Sequence, residues 1–137
     1  MTTVADFIKD TLVLLGVVDA RQPVRDEDMQ TGIRFLNRLC GRMEANTLSL
    51  GWADVDNPSD TLPLPSEAEL GVMYSLAVLL APHFGVSASA EVVAGAETFM
   101  TDLRRDQAVA TPIQPLLDAP TPDRWRRWPW HTRFTEG

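Results

Sequence analysis

Residues 66–81 read SEAELGVMYSLAVLLA, and this stretch decides the fold class. Ser66 and Glu69 have the spacing of a capping box, which predicts that a helix begins here. From Leu70 onward the stretch has almost no polar side, and a helix that is apolar all round is buried all round. In a chain of 137 residues, such a helix is either central or partly covered by another subunit.

A first helix is predicted from Thr3, which forms a near-capping box with Asp6, to a stop at Gly16. The apolar side of this helix has five members at helical spacing: Val4, Phe7, Ile8, Leu14 and Leu15. The polar side carries Asp6, Asp10 and Val13, which are candidate residues of a subunit interface. Val13 is either an isolated exposed valine or a contact with a neighbouring subunit.

A second helix is predicted from an acidic start at Asp26 to about Ala45, because carboxylates complement the positive N-terminal end of a helix dipole. The core side of this helix is formed by five residues: Met29, Ile33, Leu36, Cys40 and Met43. Asn37 lies at the edge of that side. A half-buried asparagine requires hydrogen-bond partners, so we expect Asn37 to hold a nearby loop.

Three arginines, Arg34, Arg38 and Arg42, form a ladder on the far side of the second helix. Like charges four residues apart on a helix repel by roughly a few tenths of a kcal/mol, so the ladder requires water or anions around it. It is either a solvated surface or a row of contacts to carboxylates across a subunit interface. A head-to-tail contact between subunits needs two different patches on each of them, and the carboxylates of the first helix, or Asp54 and Asp56, are candidates for the second patch.

Between the second and third helices, the segment from Asn46 to Pro65 is expected to form an irregular loop or a short hairpin, because prolines interrupt it. Gly85 is expected to end the third helix. A fourth helix, capped by Ser87 or Ser89, is predicted to run to about Gln107. The expected fold is mainly α: a four-helix bundle with a short irregular β-hairpin or loop between helices two and three, and an extended C-terminal tail.

The character of the chain changes after the helical body, which is predicted over residues 1–107. Residues 108–137 are predicted to form a proline-rich connector followed by a docking tail, and residues 124–134 read RWRRWPWHTRF. This tail holds three of the four tryptophans, and tryptophan with arginine is typical of interface hot spots. The candidate docking residues are Arg124, Trp125, Arg126, Arg127, Trp128, Trp130, Arg133 and Phe134.

Charge is unevenly distributed along the chain. Residues 1–110 carry eight basic and sixteen acidic side chains, residues 111–137 carry four and three, and the formal net charge is −7. An acidic body argues against generic binding to the outside of a nucleic acid, which requires a basic face. The single cysteine, Cys40, excludes an internal disulfide and fits a reducing compartment. Neither a signal peptide nor a membrane span is expected.

Patterns typical of catalysis or metal binding are not found in the sequence. His83 is interpreted as a core histidine with satisfied hydrogen bonds. No Cys/His pair has the spacing of a metal site, and no glycine-rich phosphate loop is present. Asp54, Asp56 and Asp60 alternate, but without the glycine and the bidentate glutamate that a calcium loop needs. We therefore expect no catalytic residue, no cofactor and no metal.

The order of the elements is similar to that of a known family. The likeness is carried by TVADFI at 3–8, LLGV at 14–17, FLNRL at 35–39, LPLP at 62–65 and LAVLLAPHFG at 76–85. In this order and spacing, the pieces resemble the head-to-tail adaptor proteins of tailed bacteriophages, in the tail accessory factor or packaged-DNA stabilisation family. The likeness covers about residues 3–107. Gene-transfer agents use similar adaptors, and the sequence does not separate the two.

The resemblance implies a structural virion protein of the neck, present in the host cytoplasm during assembly. Its protomers are expected to form a ring of twelve under the portal protein, to close the filled head so that DNA is retained, and to attach the tail or stopper protein below. DNA would pass through the ring without specific binding. The resemblance also implies that the C-terminal segment holds the portal, with Trp125, Arg126, Trp128, Trp130 and Phe134 as the candidates.

Two other functions stay open from the sequence. The first is a small helical nucleic-acid-binding or regulatory protein, with the tail as a basic aromatic arm on which bases stack. The second is an antitoxin-like partner protein whose tail fills a groove of another protein. Salt-dependent affinity for DNA would favour the first, and co-purification with one small partner would favour the second.

Overall fold

The computed structural model describes residues 1–46 and 48–110, the last two of them by their backbone alone. Four helices follow one another along the chain: α1 (Val4–Leu14), α2 (Asp26–Ala45), α3 (Ser66–Leu80) and α4 (Ala90–Ala110). Within the two described ranges, β pairing is limited to an isolated bridge between Thr3 and Thr61. The predicted mainly α, four-helix fold is therefore confirmed. The predicted docking residues of the tail lie outside the described residues.

Helix α3 is the centre of the body, because it packs against each of the other three helices, whereas α4 packs against α3 alone among them. Two glycines allow α3 and α4 to approach each other closely. A Cβ on Gly71 would lie 3.0 Å from the Phe99 side chain, and a Cβ on Gly95 would lie 3.0 Å from the Tyr74 ring. The expectation that α3 is buried all round is wrong in part. Leu79, on its outer side, is 39% exposed, because α4 covers only one side of the helix.

The core side of α1 differs from the predicted one. The fully buried residues of α1 are Val4, Phe7, Ile8, Thr11 and Leu12. They follow the i, i+3, i+4, i+7, i+8 spacing of a continuous helical stripe, whereas Leu14 and Leu15 are half-buried at the helix end. The Thr11 hydroxyl donates to the carbonyl oxygen of Phe7 at 2.8 Å, so its burial leaves no unsatisfied donor.

The predicted caps of α1 and α4 are confirmed, and the capping box predicted for α3 is wrong. Thr3 Oγ1 accepts from the N–H of Asp6 at 3.2 Å, and Ser89 Oγ accepts from the N–H of Val92 at 3.3 Å. Ser66, by contrast, is already inside α3: the N-cap position is occupied by Pro65, and no side chain caps this end. The reason is that the extended backbone of Pro65 leads into the helix one residue earlier than the capping box requires.

The segment between α2 and α3 is a loop and contains no hairpin in its described residues. Its second half pairs instead with the N-terminus of the chain. The N–H groups of Val4 and Ala5 donate to the carbonyl oxygens of Asp60 and Pro58, at 3.0 and 2.9 Å. These two bonds satisfy donors that the first turn of any helix leaves free. The loop therefore serves as the cap of α1.

Two further observations complete the fold. Gly16, with a φ angle of 72° in the left-handed region that favours glycine, follows the end of α1 as predicted. The prediction that Gly85 ends the third helix is wrong: α3 ends at Leu80, since Pro82 has no N–H to continue the helical hydrogen bonds, and Gly85, with a φ angle of 69°, lies in the turn that follows. In the part of the chain that the structure describes, no helix combines the length and the hydrophobicity needed to cross a membrane.

Candidate protein interaction surface

The predicted arginine ladder lies on the outer side of α2, and all three of its side chains are exposed. Arg34 Nη2 donates to Thr31 Oγ1 at 3.2 Å, and the Arg38 guanidinium lies 5.8 Å from the centroid of the Phe35 ring. Over residues 1–46 and 48–110, the one ion pair joins Arg105 to Asp102, on α4. No carboxylate of the described chain therefore neutralises the ladder.

An aromatic cluster borders the ladder. The ring of His83 lies 5.4 Å from that of Phe35 and 5.4 Å from that of Phe84, between centroids. The interpretation of His83 as a core histidine is wrong, because the residue is exposed. It lies in the turn that follows α3, where its ring covers Phe35 from the outside. Arginine beside aromatic rings is a composition that protein interfaces favour.

A second polar side of α2, at the edge of the core, contacts the loop. Asn37 Nδ2 donates to the carbonyl oxygen of Val55 at 2.8 Å, and Asn37 Oδ1 accepts from the N–H of Val55 at 3.1 Å. The prediction that Asn37 holds a nearby loop is thus confirmed. The side chain replaces a strand partner for Val55, whose own side chain is buried.

Glu44 holds the same loop, a role that was not predicted from the sequence. Its Oε1 accepts from the N–H groups of Leu50 and Trp52, at 2.8 and 2.9 Å. These bonds, the one from Trp52 first, lower the pKa of the Glu44 carboxyl against a smaller opposing effect of burial. A signal was present in the sequence: Glu44 lies two helical turns after Asn37, on the same side of α2.

A third side chain joins the loop to α4. Gln107 Oε1 accepts from the N–H of Ser49 at 3.0 Å, and Gln107 Nε2 donates to the carbonyl oxygen of Ser49 at 3.1 Å. Together, Asn37, Glu44 and Gln107 fix the loop over residues 48–55, and we refer to these three side chains as the loop clamps. The loop clamps form hydrogen bonds with backbone groups of Ser49, Leu50, Trp52 and Val55.

The candidate interface residues of α1 are partly as predicted. Asp6 and Asp10 are exposed, and Asp6 Oδ2 accepts from Thr3 Oγ1 at 2.7 Å. Val13 is half-buried, so the interpretation as a fully exposed valine does not hold. No hydrogen bond or ion pair among the described residues joins these α1 residues to the arginine ladder. Within one chain the two groups remain separate patches.

A cleft lies between α2 and α4, above α3, and we refer to it as the α2–α4 cleft. It has a volume of about 200 Å³ and is lined by Leu39, Arg42, Met43, Asn46, Leu48, Ser75, Met100 and Arg104. A wider groove of about 490 Å³, along α3 and α4, shares Ser75, Met100 and Arg104 with it. The oxygen of the Ser75 hydroxyl is buried and has no hydrogen-bond partner in the described chain. Arg104 of α4 is exposed and lines this cleft together with Arg42 of α2.

The remaining chemistry of the body is limited. Cys40 is buried in the core, which raises the pKa of its thiol to about 12, so the thiolate that reacts or binds metal is not populated near neutral pH. Among the described residues, no three histidines, cysteines or carboxylates are grouped as metal ligands. Comparison with known proteins gives no match to any family model and no match among curated proteins.

Proposed function

We propose that this protein is a head-to-tail adaptor of a tailed phage or a related gene-transfer agent. In this role it forms a ring on the portal protein, closes the filled head and provides the attachment site for the tail. The order of sequence pieces over residues 3–107 supports the family, and the mainly helical body agrees with the fold that the resemblance implies. The role requires no catalytic residue and no cofactor.

The observation that carries the proposal is the unpaired arginine ladder on an acidic body. Arg34, Arg38 and Arg42 are exposed on one helix, without a carboxylate partner in the described chain, although acidic side chains outnumber basic ones two to one over residues 1–110. An acidic protein has many carboxylates with which it can neutralise such a ladder internally. That it does not do so favours a ladder whose anions come from a neighbouring molecule.

A ring arises when each subunit binds the next through two different patches and the rotation closes. The ladder supplies a basic patch with aromatic neighbours, and the exposed carboxylates of the body supply an acidic one. Charge of opposite sign at the two patches selects the head-to-tail contact and disfavours the symmetric dimer, in which arginines face arginines. The acidic remainder of the body also avoids retaining DNA that passes through the ring.

The first test is charge reversal within the ladder. Arg38→Glu is expected to reduce assembly of the full chain, on portal or alone, by roughly tenfold or more while helicity by circular dichroism is unchanged. Arg21→Glu, an exposed position in the connector between α1 and α2, is the matched control with the same charge change. If Arg38→Glu assembles as well as the control, the ladder is a solvated surface and not a subunit contact.

The second test concerns the docking tail. Removal of residues 120–137 is expected to leave a folded body that no longer binds portal, because the tryptophans and arginines of the tail are the proposed anchors. Portal binding at full affinity after the truncation would contradict this part of the proposal. Affinity of the full chain for DNA that falls steeply with salt would favour the nucleic-acid-binding alternative instead.

A further inference from the structure

We infer that the α2–α4 cleft binds the acidic loop residues Asp54 and Asp56 of a second copy of this chain. The inference rests on the proposed function, because it names the contact between neighbours in the ring. It also changes the contact expected from the sequence. The basic patch extends beyond the ladder on α2 to include Arg104 of α4.

The chemistry of the cleft selects a carboxylate. Arg42 and Arg104 line it from two different helices, and none of its lining residues is acidic. Asn46 adds a side-chain amide, and the buried oxygen of the Ser75 hydroxyl has no partner among the described residues. Guanidinium groups bind carboxylates through charge-assisted hydrogen bonds, which are stronger than neutral ones.

The dimensions of the cleft favour a protein side chain over a free metabolite. Its volume of about 200 Å³ is smaller than the roughly 300–1,000 Å³ that small-molecule sites usually have. Met43 and Met100 form part of its wall, and methionine adapts to irregular partner surfaces. The wider groove that continues from it gives room for the chain segment that carries the acidic side chains. The cleft therefore fits a short acidic segment of a folded protein.

Among the exposed carboxylates of this chain, we assign Asp54 and Asp56 to the contact, because they lie two residues apart in one segment that Asn37 holds in place. Both are exposed, while Val55 between them is 5% exposed, an alternation that places the two aspartates on the same side of the segment. In an extended segment, residues two apart are separated by about 6.5–7 Å. The two hydrogen bonds between Asn37 and Val55 hold the segment in place, so little conformational entropy is lost when it binds.

Several other carboxylates of the body already have partners. Asp6 accepts from Thr3, Asp60 accepts from the N–H of Asn57 at 3.1 Å, and Asp102 pairs with Arg105. Neither Asp54 nor Asp56 accepts a hydrogen bond from the described residues or forms an ion pair with the cleft of its own chain. The contact is therefore between copies, and because it joins two different patches it is a head-to-tail contact.

The experiment exchanges the charges of the two patches in the full-length protein. One variant carries Arg42→Glu and Arg104→Glu, and the other carries Asp54→Arg and Asp56→Arg. Each alone brings like charges together and is expected to weaken assembly roughly tenfold or more, measured by mass photometry over a concentration series. An equimolar mixture of the two is expected to recover assembly, because every contact in an alternating ring again joins opposite charges.

The control for the arginine variant has the same change of net charge at positions outside the contact. It carries Arg21→Glu and Arg25→Glu, two exposed residues before α2, and is expected to assemble like the wild type. Helicity and urea midpoints of all variants establish that the bodies are folded. Because recovery in the mixture requires both folded variants, it is a result that a merely destabilised protein does not give.

The outcomes separate the inference from the proposed function. If both folded variants fail alone and the mixture also fails, or if neither variant changes a wild-type ring, the cleft contact is wrong while the adaptor function stands. If the wild-type chain stays monomeric at all concentrations, with and without portal, both are wrong. Recovery in the mixture supports the contact between cleft and loop.

Discussion

Helix α2 has two polar sides that differ in how their side chains are used. On one side, Asn37 and Glu44 form hydrogen bonds with backbone atoms of the loop. On the other side, Arg34, Arg38 and Arg42 extend into solvent without a carboxylate partner among the described residues. Both sets recur at helical spacing, so periodicity alone does not separate them. What separates them is whether unpaired backbone groups lie within reach of the side chain.

The first side is structural, and the largest effect is expected from Asn37→Ala. The substitution removes two hydrogen bonds and leaves the N–H and the carbonyl of Val55 unpaired next to the core, which is expected to lower the free energy of unfolding by about 2–3 kcal/mol. Urea unfolding measures it. Asn37→Asp keeps the acceptor for the Val55 N–H but places a carboxylate oxygen against the Val55 carbonyl oxygen, so it is also expected to be destabilising. A loss below 0.5 kcal/mol for Asn37→Ala would show that the loop does not need this clamp.

Glu44→Gln is expected to change the dependence of stability on pH. Because the pKa of Glu44 is lowered in the folded protein, its contribution is present above the pKa of the unfolded chain, about 4.3, and is lost as pH falls through the lower folded value. Urea midpoints between pH 3 and pH 7 should therefore fall more steeply for the wild type than for Glu44→Gln. The exposed Glu97→Gln is the control. Parallel curves for wild type and Glu44→Gln would contradict this prediction.

Gln107→Ala tests the third loop clamp. The two bonds to Ser49 lie at the surface, so their loss is expected to cost about 1 kcal/mol and to act mainly on the local opening of the loop. Hydrogen exchange at the Ser49 amide should accelerate by roughly fivefold, since about 1 kcal/mol corresponds to that factor. Gln30→Ala, at an exposed position of α2, is the matched control. An unchanged exchange rate at Ser49 would mean that α4 does not hold the loop.

The arginine side should have the smallest effect on folding. Arg34→Gln removes one like charge from the ladder and one bond to Thr31, and these opposite contributions are expected to leave the free energy of unfolding within about 0.5 kcal/mol of the wild type. The measurement is the same urea titration. A loss above about 1 kcal/mol would show that the ladder supports the fold and would remove the contrast between the two sides of α2.

The parts of this fold that follow from local pattern could be predicted. The bounds of α2, from Asp26 to Ala45, follow from the acidic start and the apolar period. The role of Asn37 followed from its position at the edge of the core, where an amide requires partners. Gly16 ends α1 because the chain turns there with positive φ.

The parts that depend on the path of the loop could not be predicted. Glu44 and Gln107 bind backbone groups of a segment whose course is fixed by packing, not by its own sequence. The loop also pairs Thr61 with Thr3 in place of the expected hairpin, because the N-terminal chain offers free backbone groups nearby. The α2–α4 cleft was missed for the same reason: Arg42 and Arg104 are 62 positions apart in the sequence, and only the packing of both helices on α3 brings them to one cleft.

The Gln107–Ser49 pair has a mechanical consequence. Any tension applied to residues 111–137 enters the body through the C-terminal end of α4, close to this pair. Among the helices described, α4 packs against α3 alone, so force on α4 is transmitted to α3 first. The Gln107–Ser49 pair transmits force by a second route, into the loop and then through Glu44 and Asn37 into α2. A pulling force on the end of α4 is thereby divided between α3 and α2 before it reaches the apolar core.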